Sequence, residues 1–215
     1  MDVIFDREKH IYKSEAFEEI IKDTIRFFNG TPVHKLPPPT RFHGTGVYAI
    51  YYIGKSEYYK TLYEQNRLEF HQPIYVGKAV PSGWRQARDT KIGSVTFELF
   101  RRLNEHAKSV NQAKNLEQED FFSRFVILED GANHLIGTVE AALIRHYKPM
   151  WNTKIDGFGN HDPGSGRYNQ AKSEWDTIHP GRPWAEKCLG HSSTIDKVEE
   201  KAAEYFTLKN RKDAE

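Results

Sequence analysis

Two phenols, a guanidinium, an imidazole, a carboxylate and a carboxamide follow one another through the middle of the chain, at Tyr48, Tyr75, Arg102, His106, Glu140 and Asn152. Together they supply what metal-assisted hydrolysis of a phosphodiester requires: a base for water, a cation for phosphate charge and an oxygen ligand for a divalent ion. Glu140 lies among Thr138, Ala141, Ala142 and Ile144, and a carboxylate in such surroundings needs a lysine, an arginine or a metal ion beside it. If a metal, one hard oxygen ligand completed by water and phosphate suits Mg²⁺. Arg102 and His106 stand four apart, so on a helix they share a face. Arg101 and Glu105 beside them are of the type that any solvated helix carries.

The elements that must position these groups can be read from apolar spacing. Ser14 to Gly30 predicts a helix with Ser14 as its N-cap, an apolar stripe of Phe17, Ile20, Ile21, Ile25 and Phe28, and Gly30 at its end. Pro37, Pro38 and Pro39 then form a stiff connector, placing a boundary between an N-terminal arm, residues 1–40, and a core over 41–152. Strands are expected at Gly46–Ile53, Ile74–Gly77 and Phe121–Leu128, rich in β-branched and aromatic residues. The first two pair across a long polar insertion, residues 54–73. Helices are expected over Ser94–Asn111, with Val95, Leu99, Leu103 and Val110 on one side, and over Gly137–Tyr147, closed by Pro149. The Gly- and Pro-rich composition from Lys154 onward predicts a loop-rich extension over 153–215, with a final amphipathic helix at Thr194–Tyr205. The fold class is α+β: a three-stranded antiparallel sheet flanked by helices, integrated into one unit with its arm and extension.

With 215 residues there is length for one sizeable core. Cys188 is the only cysteine, which removes a disulfide framework or Cys-rich zinc site and favours a reducing, cytoplasmic address. No apolar run approaches a membrane span, and Met1 to His10 is too charged for a signal peptide. The net charge of +1 is far from that of strongly basic nucleic-acid binders, but the stretch Pro37–Lys91 holds 8 Lys and Arg against 4 Asp and Glu. Four tryptophans, Trp84, Trp151, Trp175 and Trp184, are expected to be buried.

In combination, the ordered residues resemble the GIY-YIG nuclease superfamily, whose two tripeptides stand here as Gly46-Val47-Tyr48 and Tyr75-Val76-Gly77. The connection between them is longer than the family's commonest layout. The flanks resemble a type II restriction endonuclease branch that cuts CCGCGG, the SacII specificity, on Phe27 to His34, Tyr75 to Pro81 with Gly83 to Gln86, and Asp156 to His161.

That resemblance implies a role for each residue. Glu140 would hold one Mg²⁺, with Mn²⁺ as a substitute. Tyr48 would act on the attacking water; a free phenol has a pKa of about 10, so it needs a proton acceptor, and His106 is the obvious one. Arg102 would bind the phosphate oxygen, Tyr75 would position water or phosphate, Asn152 would orient a tyrosine or the metal shell, and Lys78 would add charge at the phosphate. The reverse assignment, with Tyr75 as base and Tyr48 as positioner, stays open. The partner would be double-stranded DNA, read at a GC-only site by cations drawn from Arg85, Arg88, Lys91, Arg167, Lys172 and Arg182. Cutting both strands of a palindrome implies a homodimer or larger assembly, formed through the N-terminal helix or the segment Lys55–Gln72, and a companion methyltransferase. A homing or repair nuclease would carry a separate DNA-binding module, and none is visible. A binding module without chemistry would have no use for the complete set. No second well-placed acid supports a glycosidase, and ten histidines hold no His-Glu-x-x-His pattern for a zinc hydrolase.

Overall fold

The computed structural model describes residues 5–81, 95–164 and 166–212. Its sheet has four strands rather than the three expected: β1 (Val33–Lys35), β2 (Gly46–Tyr52), β3 (Tyr75–Ala79) and β4 (Phe121–Ile127), in the order β1-β4-β2-β3. All pairings are antiparallel. The extra strand is three residues long, too short for an alternation signal; it forms because Val33, His34 and Lys35 face Arg124, Ser123 and Phe122 along the open side of β4. It ties the N-terminal segment into the same sheet.

Every residue of β2 is buried, and the strand's period of two divides its side chains between two cores. Tyr48, Ile50 and Tyr52 enter one with Leu99, Leu103 and Val110 of α3 (Glu98–Gln112) and with Trp151 and Trp175 from the C-terminal half. Val47, Ala49 and Tyr51 enter the other with Phe28 of α1 (Glu15–Gly30) and Ile136, Val139 and Leu143 of α4 (Ile136–Tyr147). Helices therefore cover both faces.

The Ser14 hydroxyl caps α1 by accepting from the Phe17 amide at 3.3 Å. Its stripe is only partly used: Phe28 is buried and Ile21 and Ile25 pack on α4's core, while Phe17 and Ile20 are exposed. Helix α3 begins at Glu98, so Val95 precedes it and is exposed, and Ser94 lies outside the described residues. The insertion folds into α2 (Lys60–Asn66), with Leu62 buried and the Asn66 amide bonded to Tyr52 and Gln72 backbone. Beyond α4 come α5 (Met150–Thr153), α6 (Glu174–Ile178) and α7 (Ile195–Lys212). Trp151 and Trp175 are buried, Trp184 is partly covered, and Trp84 lies outside the described residues.

One polar cluster lies within the first core. The Tyr59 hydroxyl is 2.5 Å from His179 Nε2 and accepts from the Trp151 indole N–H at 3.0 Å. His179 Nδ1 meets Asn115 Oδ1 at 2.9 Å, which places the ring proton on Nδ1 and leaves Nε2 to accept from the phenol. Burial pushes His179 down to about 3 from an ordinary 6.5, with the Arg182 charge adding to the effect. Unfolded chains take up this proton near the ordinary value while the folded one refuses it, so stability falls as pH drops from about 6.5 toward 3, by up to about 1.4 kcal/mol per pH unit for this group. Urea unfolding between pH 7 and pH 5 is expected to show that slope, and His179→Gln to reduce it by one proton's worth.

Candidate active site

The hairpin of β2 and β3 sets Tyr48 opposite Gly77 and Ile50 opposite Tyr75. On β3, alternation turns Tyr75, Gly77 and Ala79 to the α3 face, and Val76 and Lys78 to the α4 face. Tyr48 crosses toward α3, where its hydroxyl lies 2.6 Å from His106 Nε2. Gly77 makes this possible: a Cβ there would stand 2.5 Å from the Tyr48 oxygen and 2.7 Å from its ring. Gly46, φ +155°, passes so close to β4 that a Cβ would meet the Val126 carbonyl at 2.0 Å. Both glycines of the two tripeptides are thus required by close approach.

His106 belongs to the buried stripe of α3, with Leu99, Leu103, Ala107 and Val110. Burial, then the Arg102 charge, holds its imidazole well below the usual range, and burial drives the Tyr48 phenol well above its own. At neutral pH the pair is accordingly a phenol donating to a neutral imidazole. The Tyr75 ring is 5.1 Å from that of His106 and 6.4 Å from that of Tyr48. Tyr48 is fully covered by protein, whereas Tyr75 is partly exposed.

One turn before His106, Arg102 donates to Glu105 at 2.8 Å, to the Gly159 carbonyl at 3.1 Å and to the His161 ring. On the opposite face, Lys78 Nζ and Glu140 Oε2 are 2.5 Å apart, with side chains 35% and 19% exposed. A lysine therefore compensates the carboxylate of α4. The two halves meet at the edge strand β3, near enough that the Glu140 charge helps raise both phenols. Asn152 closes that edge: its amide oxygen accepts from the Val76 N–H and its amide nitrogen donates to the Val76 carbonyl, each at 2.8 Å. It acts as one residue of a missing neighbouring strand, fixing β3 between Tyr75 and Gly77.

The cations expected to read DNA divide. Arg167 is exposed, and Lys172 pairs with Glu186 at 3.0 Å. Arg85, Arg88 and Lys91 lie outside the described residues. Arg182 is a correction. It is 1% exposed, and its guanidinium is committed to both oxygens of Asp176 and to the carbonyls of Gly157, Phe158 and Asn160, so it holds a loop and has no surface to offer. Sequence reasoning attached no chemistry to Glu105, Phe158, Gly159 or His161, which gather around Arg102 and His106; the one signal was the run Asp156–His161.

The hairpin, with its tyrosines converging on a helix-borne imidazole and guanidinium and a single carboxylate across its edge strand, has the arrangement of a GIY-YIG nuclease. A family model, the Eco29kI GIY-YIG domain, matches residues 40–206, and the chain belongs to that family. It is a restriction-type endonuclease domain, and a DNA-binding one. A comparison with curated proteins finds no match.

Gly77→Ala is expected to lower stability by about 1–3 kcal/mol, because the covered Tyr48 ring has nowhere to go. Gly131→Ala, where nothing stands within 4 Å, is the control and is expected to be neutral or slightly stabilising. Urea midpoints of the two variants against wild type check this.

Proposed function

We propose that the protein is a type II restriction endonuclease that hydrolyses both strands of double-stranded DNA at a palindromic GC-rich site, CCGCGG, with Mg²⁺. The observation that carries this is the buried Tyr48–His106 hydrogen bond beside Arg102, within an Eco29kI-family domain. The site recognised rests on the flanking resemblance.

Glu140 is the residue that would hold the metal. Among the described residues no three or more His, Cys, Asp or Glu cluster as a metal cage. One partly exposed carboxylate fits an ion that keeps most of its shell as water and phosphate oxygen, and the Lys78 ammonium beside it is the positive charge that such an ion would take over or share. When bound, Mg²⁺ polarises the scissile phosphate and stabilises the leaving 3′ oxygen.

The chain's own groups do the rest. Once bound substrate opens a path for water to the covered Tyr48 hydroxyl, its oxygen takes a proton from the attacking water while its own proton passes along the existing hydrogen bond to His106 Nε2. His106 is ready to accept because its surroundings keep it neutral. Arg102 meets the phosphate oxygen on which charge accumulates, a contribution of about 3 kcal/mol for a donor of this kind. Tyr75 positions the water or phosphate, Asn152 holds the strand that carries Tyr75, and Lys78 neutralises Glu140 and then lies beside the phosphate. Tyr75 as principal base is the second reading, favoured by its greater exposure.

Arg167 and Lys172, with Arg85, Arg88 and Lys91, are the candidates for reading guanine. A homodimer would match the palindrome, and α1, with Phe17, Ile20 and Phe27 exposed, is the surface proposed for it. A companion methyltransferase and the bacterial cytoplasm complete the reading; among the described residues no helix is long and apolar enough to cross a membrane.

Plasmid DNA incubated with the purified protein is expected to give discrete fragments, with ends mapping to CCGCGG, only when Mg²⁺ is present. Glu140→Ala is expected to abolish them, and Tyr48→Phe to slow cleavage by about 10²–10⁴-fold. Nicking without site preference would replace this reading with a homing or repair nuclease. A gel shift without cleavage would replace it with a non-catalytic DNA-binding module.

A further inference from the structure

The segment Asp156–His161 follows α5 and crosses the catalytic face of the sheet. Three of its residues touch three of the residues assigned to chemistry. Phe158 stacks on His106, with centroids 4.6 Å apart and planes 18° from parallel, and meets Tyr75 edge-on at 4.9 Å. The Gly159 carbonyl takes an Arg102 N–H at 3.1 Å, and a Cβ on Gly159 would stand 2.6 Å from the Tyr75 oxygen. His161 Nε2 accepts from Arg102 Nη1; since a guanidinium only donates, the imidazole must present a lone pair there. Its other nitrogen is 4.0 Å from Glu105, the carboxylate that Arg102 also binds.

Behind this strap stands the buried Arg182–Asp176 pair, whose guanidinium gathers the carbonyls of Gly157, Phe158 and Asn160. A charge pair buried to 1% and 2% exposure is costly to desolvate. Holding a surface loop at large would not need one. Holding a carbonyl and an imidazole in register with a catalytic guanidinium would, because a phosphate-binding cation loses its effect when misplaced by an ångström.

We propose that His161 is a positioning residue for Arg102: with Glu105 and the Gly159 carbonyl it fixes the guanidinium in the plane from which its remaining donors meet the scissile phosphate. The assignment of Arg102 to phosphate rests on the function proposed above; the bracing does not. His161 itself is 60% exposed at its side chain and acts through Arg102.

The test uses the full chain, with wild type, His161→Ala and His161→Gln, the glutamine carbonyl being able to accept from the guanidinium where the imidazole does. Single-turnover cleavage of a plasmid carrying CCGCGG in Mg²⁺ is read against DNA affinity in a metal-free gel shift. His161→Ala is expected to slow cleavage about ten- to a hundredfold, with affinity unchanged within about twofold, and His161→Gln to recover most of the rate. In ¹H–¹⁵N spectra of the arginine side chains, the Arg102 Nη1–H that His161 accepts is expected to exchange slowly in wild type and His161→Gln and to lose that protection in His161→Ala. Wild-type cleavage by His161→Ala, a loss of rate paralleled by loss of affinity, or equal losses in both variants would each overturn the positioning role. A wild type that does not cleave overturns the proposed function instead, and unchanged protection of that Arg102 Nη1–H in His161→Ala then overturns the bracing on its own.

Discussion

The constraint on which this structure depends is the burial of β2 on both faces. A central strand with no solvent-facing side has to split its side chains between two cores, and each core has to be closed by helices from different parts of the chain. α1 and α4 close one, and α3 with the C-terminal half closes the other. A phenol on such a strand cannot leave its hydroxyl unpaired without a penalty of about 1–3 kcal/mol. Tyr48 resolves this with His106, and Tyr59, in the same core, resolves it with His179. The two pairs share their chemistry and differ in setting: His106 has Arg102 one turn away and the edge of the sheet beside it, while His179 is sealed among Trp151, Trp175 and Asn115.

Because β3 is an edge strand, both faces of the sheet are accessible within one residue of each other. The pleat sends Tyr75 and Lys78 to opposite sides, so the phenols and the imidazole gather on the α3 face and the carboxylate with its ammonium on the α4 face. A substrate lying across that edge meets both. The arrangement requires that the edge stay unpaired by another strand, and Asn152 satisfies both outward backbone groups of Val76 with a single side chain.

The C-terminal extension joins the core through polar contacts as much as through apolar ones. Its buried guanidinium, Arg182, collects carbonyls that a loop without regular structure would otherwise leave unsatisfied, and the ring centroids of Trp175 and Trp184 lie 4.6 Å and 4.7 Å from it. That one residue converts a glycine-rich run into a fixed wall of the site.

Much of the scaffold was legible in the residues themselves. Alternating and β-branched residues announce β2 and β4, the spacing of Leu99, Leu103 and Val110 announces α3, and Ser14 announces the start of α1, because these signals depend only on neighbours in the chain. The two tripeptides and the ordered Arg102, His106 and Glu140 likewise declare a set of chemical groups. The three-residue β1 was illegible, being shaped by the free edge of β4, and so was the folding of the insertion, which the Asn66 amide stitches to backbone on either side. Which cation would face solvent was decided only in three dimensions: Arg182 and Arg167 are alike as residues in a glycine-rich tail, and Asp176 with three converging carbonyls draws one inside while the other stays out. The sequence by itself determined which groups are present and which local elements carry them; the tertiary structure decided which groups touch, since Lys78 with Glu140 and His161 with Arg102 are contacts between residues about 60 positions apart, set by packing rather than by any local pattern.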